Sequence, residues 1–316
     1  MDKMVDLGNG VHLVDVHDQD TTELTCSYLL TGGKIAFVET GATPGIPYLL
    51  SALNDIGAGP EAVEAIIVTH IHLDHAGGAG ALARRCKNAK VYVHPRGARH
   101  LVDPSRLTAG AKAVYGDRFE KFFGEIVPVL QERVYTPADG EKLDLGEGRE
   151  LTFYHSPGHA GHHMVVHDPS ARGIFTGDAA GIRYYPLSRQ IGRDYVLPST
   201  PPVDFDPAVY VATLERILLL EPEYFYFTHY GRAENVPELV ARNCDVLKAS
   251  VTIAGEILER GGTVVEVEMA LWGLVMGELA WDGVTDRNNP AVVRIGLDLE
   301  LNAKGIVQYL EKTRGA

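Results

Sequence analysis

The chain is 316 residues long and 45% hydrophobic, enough for a sizeable packed core in one large domain with an appendage or in two medium domains. Asp and Glu number 42 against 29 Lys and Arg, a formal charge of -13 that repels phosphate backbones and anionic lipid. Nucleic acid and membrane surfaces are therefore excluded as partners, and a small-molecule substrate is expected. The three cysteines, Cys26, Cys86 and Cys244, lie far apart without Cys-X-X-Cys spacing, and Met1 to Asp20 holds no signal-like apolar run, so a reducing, cytoplasmic setting is expected.

The chain opens as a meander of short strands: Val11 to Val16 alternates, Ser27 to Leu30 follows, and Lys34 to Val38 comes after the Gly32-Gly33 turn. Pro47 to Ile56 carries apolar residues at helical spacing, and the next strand, Val63 to Thr69, contains Ala65-Ile66-Ile67-Val68, an apolar, β-branched run of the kind buried on both faces of a sheet. There follows Thr69-His70-Ile71-His72-Leu73-Asp74-His75-Ala76-Gly77-Gly78, with four potential metal ligands inside six residues. No packing need explains that density. On a strand-to-helix loop, His70 and His72 can face one point while Asp74 and His75 turn to a second, so one segment can serve two ions.

A helix to about Arg85 and a strand from Lys90 to His94 come next, and His94 at the strand end reads as structural rather than as a ligand. Pro95 to Val129 mixes Arg96, Arg99, Arg106, Lys112, Arg118 and Lys121 with Tyr115, Phe119, Phe122 and Phe123. This stretch, about 95–130, reads either as a helical insertion lying over the site, its aromatic and basic residues a substrate-selecting wall, or as an ordinary amphipathic excursion. Asp139-Gly140 begins a β-rich half with strands at Lys142 to Leu145 and Glu150 to His155, and a turn brings His159 next to the second strand's end. Met164 to His167 and Gly173 to Thr176 pair as a hairpin, after which Asp178 emerges. Residues 182–206, proline-rich with few helical signals, read as a loop. Pro207 opens a helix to about Leu220, and Glu223 to Thr228 is the last strand, delivering His229. Helical patterns then run from Pro237 to Arg260, Val267 to Leu279 and Val292 to Lys312, an appendage of roughly eighty residues. Residues 1–235 are thus expected to form the catalytic domain and 236–316 a helical extension suited to homodimerisation.

His70-X-His72-X-Asp74-His75 followed by Gly77-Gly78 resembles the signature loop of the metallo-β-lactamase superfamily. Ser156-Pro157-Gly158-His159, Phe175-Thr176-Gly177-Asp178 and Phe227-Thr228-His229 resemble its later motifs, in order, over roughly residues 10–235. The resemblance implies an α/β (α+β) fold, a four-layer αβ/βα sandwich, here with a helical lid insertion and a helical C-terminal extension. It also implies a ligand set: His70, His72 and His159 for a first ion, Asp74, His75 and His229 for a second, and Asp178 bridging both. Glu39 stands where the family more often has Asp, a departure with no chemistry assigned. His162 matches a further family histidine, placed beside the ligands, while His155, His163 and His167 read as structural.

Imidazoles and carboxylates without thiolates suit two divalent ions, zinc first, with iron or manganese also accommodated. The expected reaction is hydrolysis of a small ester-like bond by a metal-bridging hydroxide, with Asp74 as catalytic proton carrier and Tyr184, Tyr185 and His162 contacting substrate. The resemblance to glyoxalase-II-like and lactonase-like members favours thioesters of the hydroxyacylglutathione or acyl-CoA kind. A lactonase is the alternative, although Gly181 stands where lactonase relatives often carry tyrosine. A small-molecule phosphodiesterase is another alternative, and a metal-binding regulatory or interaction protein is the reading from a different class. The two-iron redox branch usually has Glu at position 72 and a flavin domain, neither seen here.

Overall fold

The structure is a computed structural model and describes residues 4–314. Two sheets carry most of the β structure. The first joins β1 (Val5–Asp6), β2 (Val11–Asp15), β3 (Cys26–Leu30), β4 (Ile35–Val38), β5 (Val63–Ile67), β6 (Lys90–Tyr92) and β7 (Val134–Tyr135) in that order, antiparallel to β4 and parallel from β4 to β7. The second is formed by β8 (Lys142–Asp144), β9 (Glu150–His155), β10 (Met164–Asp168) and β11 (Gly173–Phe175). It is completed, past the separate hairpin of β12 (Ile182–Arg183) and β13 (Val196–Leu197), by β14 (Tyr224–Phe227) and β15 (Gly231–Ala233). Its order is β15-β14-β11-β10-β9-β8, antiparallel except for the parallel pair β11 and β14.

The middle of the first sheet is covered on both faces, which is why Tyr28 to Leu30, Ile35 to Val38 and Ala65 to Ile67 read as hydrophobic runs. Successive residues divide strictly between two cores: Leu29, Phe37, Ile66 and Val68 on one face, Tyr28, Leu30, Val38, Ala65 and Ile67 on the other. The former face packs under α1 (Ile46–Asp55), past the short α2 (Leu73–Ala76), and α3 (Ala79–Arg85), through Leu49, Leu53, Ala79 and Leu82. The latter meets Leu151, Phe153, Met164, Val166, Phe175 and Tyr226 of the second sheet, so the two sheets share one interior.

The insertion is helical as expected: α4 (Pro95–Val102), α5 (Ser105–Tyr115) and α6 (Phe119–Phe123). Its aromatic side departs from the substrate-wall reading. Phe119 and Phe123 are buried against Ala42 and Leu73, with Leu107, Ala111, Tyr115, Phe122 and Ile126 packed around them. Burial of apolar area wins over exposure to a cleft, and these rings brace the ligand-bearing loop through Leu73.

The chain's contacts divide it into two compact units, and the crossing points are several. One holds the residues up to Ser156, His162–Gly177 and Pro222–Glu234; the other holds Pro157–Gly161, Asp178–Glu221 and the chain from Asn235 onward. The second contains α7 (Tyr185–Ile191), α8 (Pro207–Leu218), α9 (Val236–Glu259), α10 (Val264–Trp281), α11 (Pro290–Val293) and α12 (Ile295–Arg314). A single boundary at residue 235 does not describe this, because α9 packs on α8 and on β13, which precede it. The expected loop at 182–206 is also more ordered than its composition implies. It holds β12, α7 and β13, and Arg193 ties it to Glu278 and Asp282 of the helical extension at 3.1 and 2.6 Å.

Candidate metal centre

In the second sheet β10 runs against both β9 and β11, and β14 runs with β11, so β9, β11 and β14 point the same way. Their C-terminal ends, which lead into Pro157-Gly158-His159, Gly177-Asp178 and Thr228-His229, therefore lie along one edge. The end of β5 comes to that edge too, because Thr69 accepts the Met164 N–H at 2.8 Å where β10 begins. The segments that carry the expected ligands therefore begin at strand ends on one side of the sheet, the usual place for a site in sheets of this kind.

Within the sheet-bearing unit the histidines crowd together. His70 Nε2 and His72 Nδ1 are 2.9 Å apart, close to the about 2.9–3.4 Å expected of two donors sharing one ion at about 2.0–2.1 Å. The His70 and His75 rings lie 4.1 Å apart. Asp74, His75 and His229 present ligand atoms within 4.8 Å of one another, with Asp74 Oδ2 at 3.6 Å from His75 Nε2 and 3.5 Å from His229 Nε2. This donor set fits a borderline cation with no thiolate requirement.

Two acidic residues without an assigned role complete this end. Glu39, buried to 1% exposure and in the left-handed region at φ 69°, accepts the Thr69 N–H on Oε1 at 3.2 Å and sets Oε2 3.6 Å from His75 Nδ1. A buried carboxylate there faces the Nδ1 side of His75, while Nε2 lies toward Asp74. Its signal in the sequence was an acid directly following a buried strand. Asp18 is buried and accepts from Thr25 Oγ1 at 3.2 Å. Burial, then the nearby Asp74 charge, pushes it up to about 6, with His229 and His75 opposing. Nothing in its local pattern, a polar turn, separates it from an exposed aspartate.

In the helical unit, His159 Nδ1 donates to the Ser199 carbonyl at 3.1 Å, since a carbonyl only accepts, and Nε2 faces Asp178 Oδ2 at 3.7 Å. Both side chains are buried. Tyr184 is a correction: only 6% exposed, its hydroxyl donates to Asp298 Oδ2 at 2.7 Å, so it holds α12 rather than facing substrate. Tyr185 is more open, with the Arg183 and Arg189 guanidinium carbons 5.0 and 5.5 Å from its ring centroid. His162 lies beside the first ligands, its ring 5.6 Å from that of His72.

Of the histidines read as structural, His155, His163 and His94 pair with groups outside the expected ligand set. His155 Nε2 meets the Pro137 carbonyl at 3.0 Å, and Ser156 Oγ and His163 Nδ1 are 2.9 Å apart. His94 caps α4, its Nδ1 accepting the Arg96 N–H at 3.1 Å. Burial, then His155 and His162, pushes His94 from 6.5 down to about 4. The unfolded imidazole takes up a proton near 6.5 while the folded one resists until about 4, so stability is full above 6.5 and is lost as pH falls through that window. Denaturant titrations at pH 7 and pH 4.5 should show His94→Asn, which keeps a capping acceptor, losing roughly 2 kcal/mol less than wild type between the two.

A sandwich that gathers imidazoles and carboxylates at one end of its strands defines the class, a metal-dependent hydrolase. The chain belongs to the metallo-β-lactamase superfamily, whose family model matches residues 21–229. It is 28% identical over 276 residues to the metallo-β-lactamase fold-containing protein ST1585 of Sulfurisphaera tokodaii, covering 84% of this chain and 96% of that one. The crystal structure of that archaeal protein superposes with a TM-score of 0.62, at 27% identity over 75% of this chain and 85% of its own. The human acyl-coenzyme A thioesterase MBLAC2 is 26% identical over 219 residues, 60% of this chain and 71% of that protein. The metallo-β-lactamase family protein TTHA1429 of Thermus thermophilus shares the fold, with a TM-score of 0.70 over 98% of this chain and 95% of its own at 20% identity.

Proposed function

We propose that the protein hydrolyses a small acyl thioester, of the acyl-CoA or hydroxyacylglutathione kind, at a dinuclear centre. The observation that carries this reading is the convergence of Asp74, His75 and His229 beside the paired His70 and His72. His70, His72 and His159 are assigned to the first ion, Asp74, His75 and His229 to the second, and Asp178 to both. Zinc is the first choice, and iron or manganese would also be held. Two such cations supply Lewis acidity and an activated water at neutral pH. The chain's own residues do the rest. The Ser199 carbonyl fixes the tautomer of His159, and the Glu39 carboxylate faces His75 Nδ1. Asp74, whose side chain is 30% exposed, would carry a proton to the leaving group.

The thioester reading draws support from the similarity to the acyl-coenzyme A thioesterase MBLAC2. Lactones are disfavoured by Gly181, where an added Cβ would fall 2.3 Å from the Leu197 carbonyl oxygen, leaving no room for a tyrosine there. A cytoplasmic setting agrees with three buried free cysteines, and among the described residues no helix is long and apolar enough to cross a membrane. The test is a panel of acyl-CoA and glutathione thioesters, lactones and phosphodiesters with added Zn²⁺ or Mn²⁺, His72→Ala serving as blank. Turnover of thioesters, lost in that variant, is expected; turnover of phosphodiesters alone would overturn the substrate class.

A further inference from the structure

The helical extension carries a polar stripe where packing alone would call for an apolar one. On α12, Asp298, Asn302, Gly305 and Gln308 recur at helical spacing, and each meets the 184–203 segment of the same unit. Asp298 accepts from Tyr184, and Gln308 Oε1 accepts the Val203 N–H at 2.9 Å. Asn302, buried, makes the closest grip: Oδ1 accepts the Thr200 N–H at 2.7 Å, Nδ2 donates to the Pro198 carbonyl at 2.8 Å, and its own carbonyl accepts from Thr200 Oγ1 at 3.2 Å. Gly305 lets the helix backbone abut the same loop, since a Cβ there would fall 1.9 Å from the Thr200 oxygen. Between the two residues clamped by Asn302 lies Ser199, whose carbonyl takes the His159 Nδ1–H.

A second amide does the same for the other ligand of this unit. Asn243 of α9, fully buried, donates Nδ2 to the Ala180 carbonyl at 2.7 Å and accepts from Tyr210 at 3.4 Å. Ala180 lies two residues beyond Asp178, inside a turn closed by Gly181 N–H to the Asp178 carbonyl at 3.0 Å. Buried amides that both donate and accept fix register where apolar contacts tolerate sliding.

We infer that Asn302 and Asn243 are positioning residues of the metal centre: the extension holds the loops that present His159 and Asp178. The inference rests on the proposed assignment of those two residues as ligands. It makes an asymmetric prediction. Asn302 acts on His159 and hence on the first ion alone, whereas Asn243 acts on Asp178 and hence on both.

The test is a titration of the metal-stripped full chain with Co²⁺, followed by visible absorption and calorimetry, which resolves two binding steps without relying on turnover. Asn302→Ala should weaken one step by about ten- to a hundredfold and leave the other within about threefold. Asn302→Asp keeps the volume and the Thr200 contact but loses the donor to Pro198, so it should fall between and covers a failure of the alanine variant to fold. Asn243→Ala should weaken both steps. Ser250→Ala, whose hydroxyl bonds Val246 within α9, should weaken neither. A wild type that takes up two ions, with Asn302 variants that match it, would overturn this inference alone. Equal losses in Asn302→Ala and Ser250→Ala would also overturn it, as a general stability effect. A wild type that binds no Co²⁺ would overturn the metal-centre reading and this inference together.

Discussion

Asp178→Asn is expected to lower kcat/KM on the best thioester by about a thousandfold or more, roughly 4 kcal/mol of lost transition-state stabilisation. The size follows from its place. Asp178 is the carboxylate shared by both ions in the proposed assignment, and it is buried with Oδ2 3.7 Å from His159 Nε2. An amide of the same shape keeps the packing but removes the charge that offsets two cations, so metal content should fall together with rate. Steady-state kinetics and elemental analysis of the same preparation check both halves. A variant that keeps more than about a tenth of the activity and its full metal complement would remove Asp178 from the centre.

The second large effect concerns the sandwich itself. Arg149 and Asp168 form a buried ion pair, with Nε and Nη2 at 2.9 and 2.5 Å from Oδ2, while Nη1 donates to the Thr31 and Gly10 carbonyls at 2.6 and 3.0 Å. Arg149 thereby joins the end of β10 in the second sheet to the turn region beside β2 and β3 in the first. Arg149→Met leaves the Asp168 charge buried without its counterion and removes the guanidinium donor from the Asn9, Gly10 and Thr31 carbonyls, of which Gly10 keeps the Thr31 N–H. Loss of one partner from such a pair costs about 3–5 kcal/mol. Urea unfolding of the metal-free chain at neutral pH should show that loss with little change in slope, and a loss below about 1 kcal/mol would mean that water replaces the guanidinium.

Much of this architecture was readable from the chain because short-range rules govern it. A strand buried on both faces is largely apolar, so Tyr28 to Leu30 and Ala65 to Val68 declare themselves, and packing does not call for a run such as His70 to His75. The later ligands needed the family resemblance, because a single histidine or aspartate after a strand looks like any turn residue. What stayed hidden depends on distant packing. Phe119 and Phe123 are aromatic whether they wall a cleft or fill a core, and only Leu73 and Ala42 against them decide the matter. The helix at 185–191 had a local signal in Tyr185-Pro186 at its first turn and Gly192 beyond its end, masked by the prolines around it. Glu39, Asn243 and Asn302 are single polar residues whose partners lie 30 to 104 positions away, beyond the reach of any local pattern.

Metal content tests the proposed pair of ions most directly. Inductively coupled plasma analysis of full-length protein, purified without chelator and dialysed against metal-free buffer, should find close to two divalent ions per chain, falling in His159→Ala and Asp178→Asn. Wild-type protein with no stoichiometric metal, and none regained from Zn²⁺, Mn²⁺ or Fe²⁺, would contradict the account.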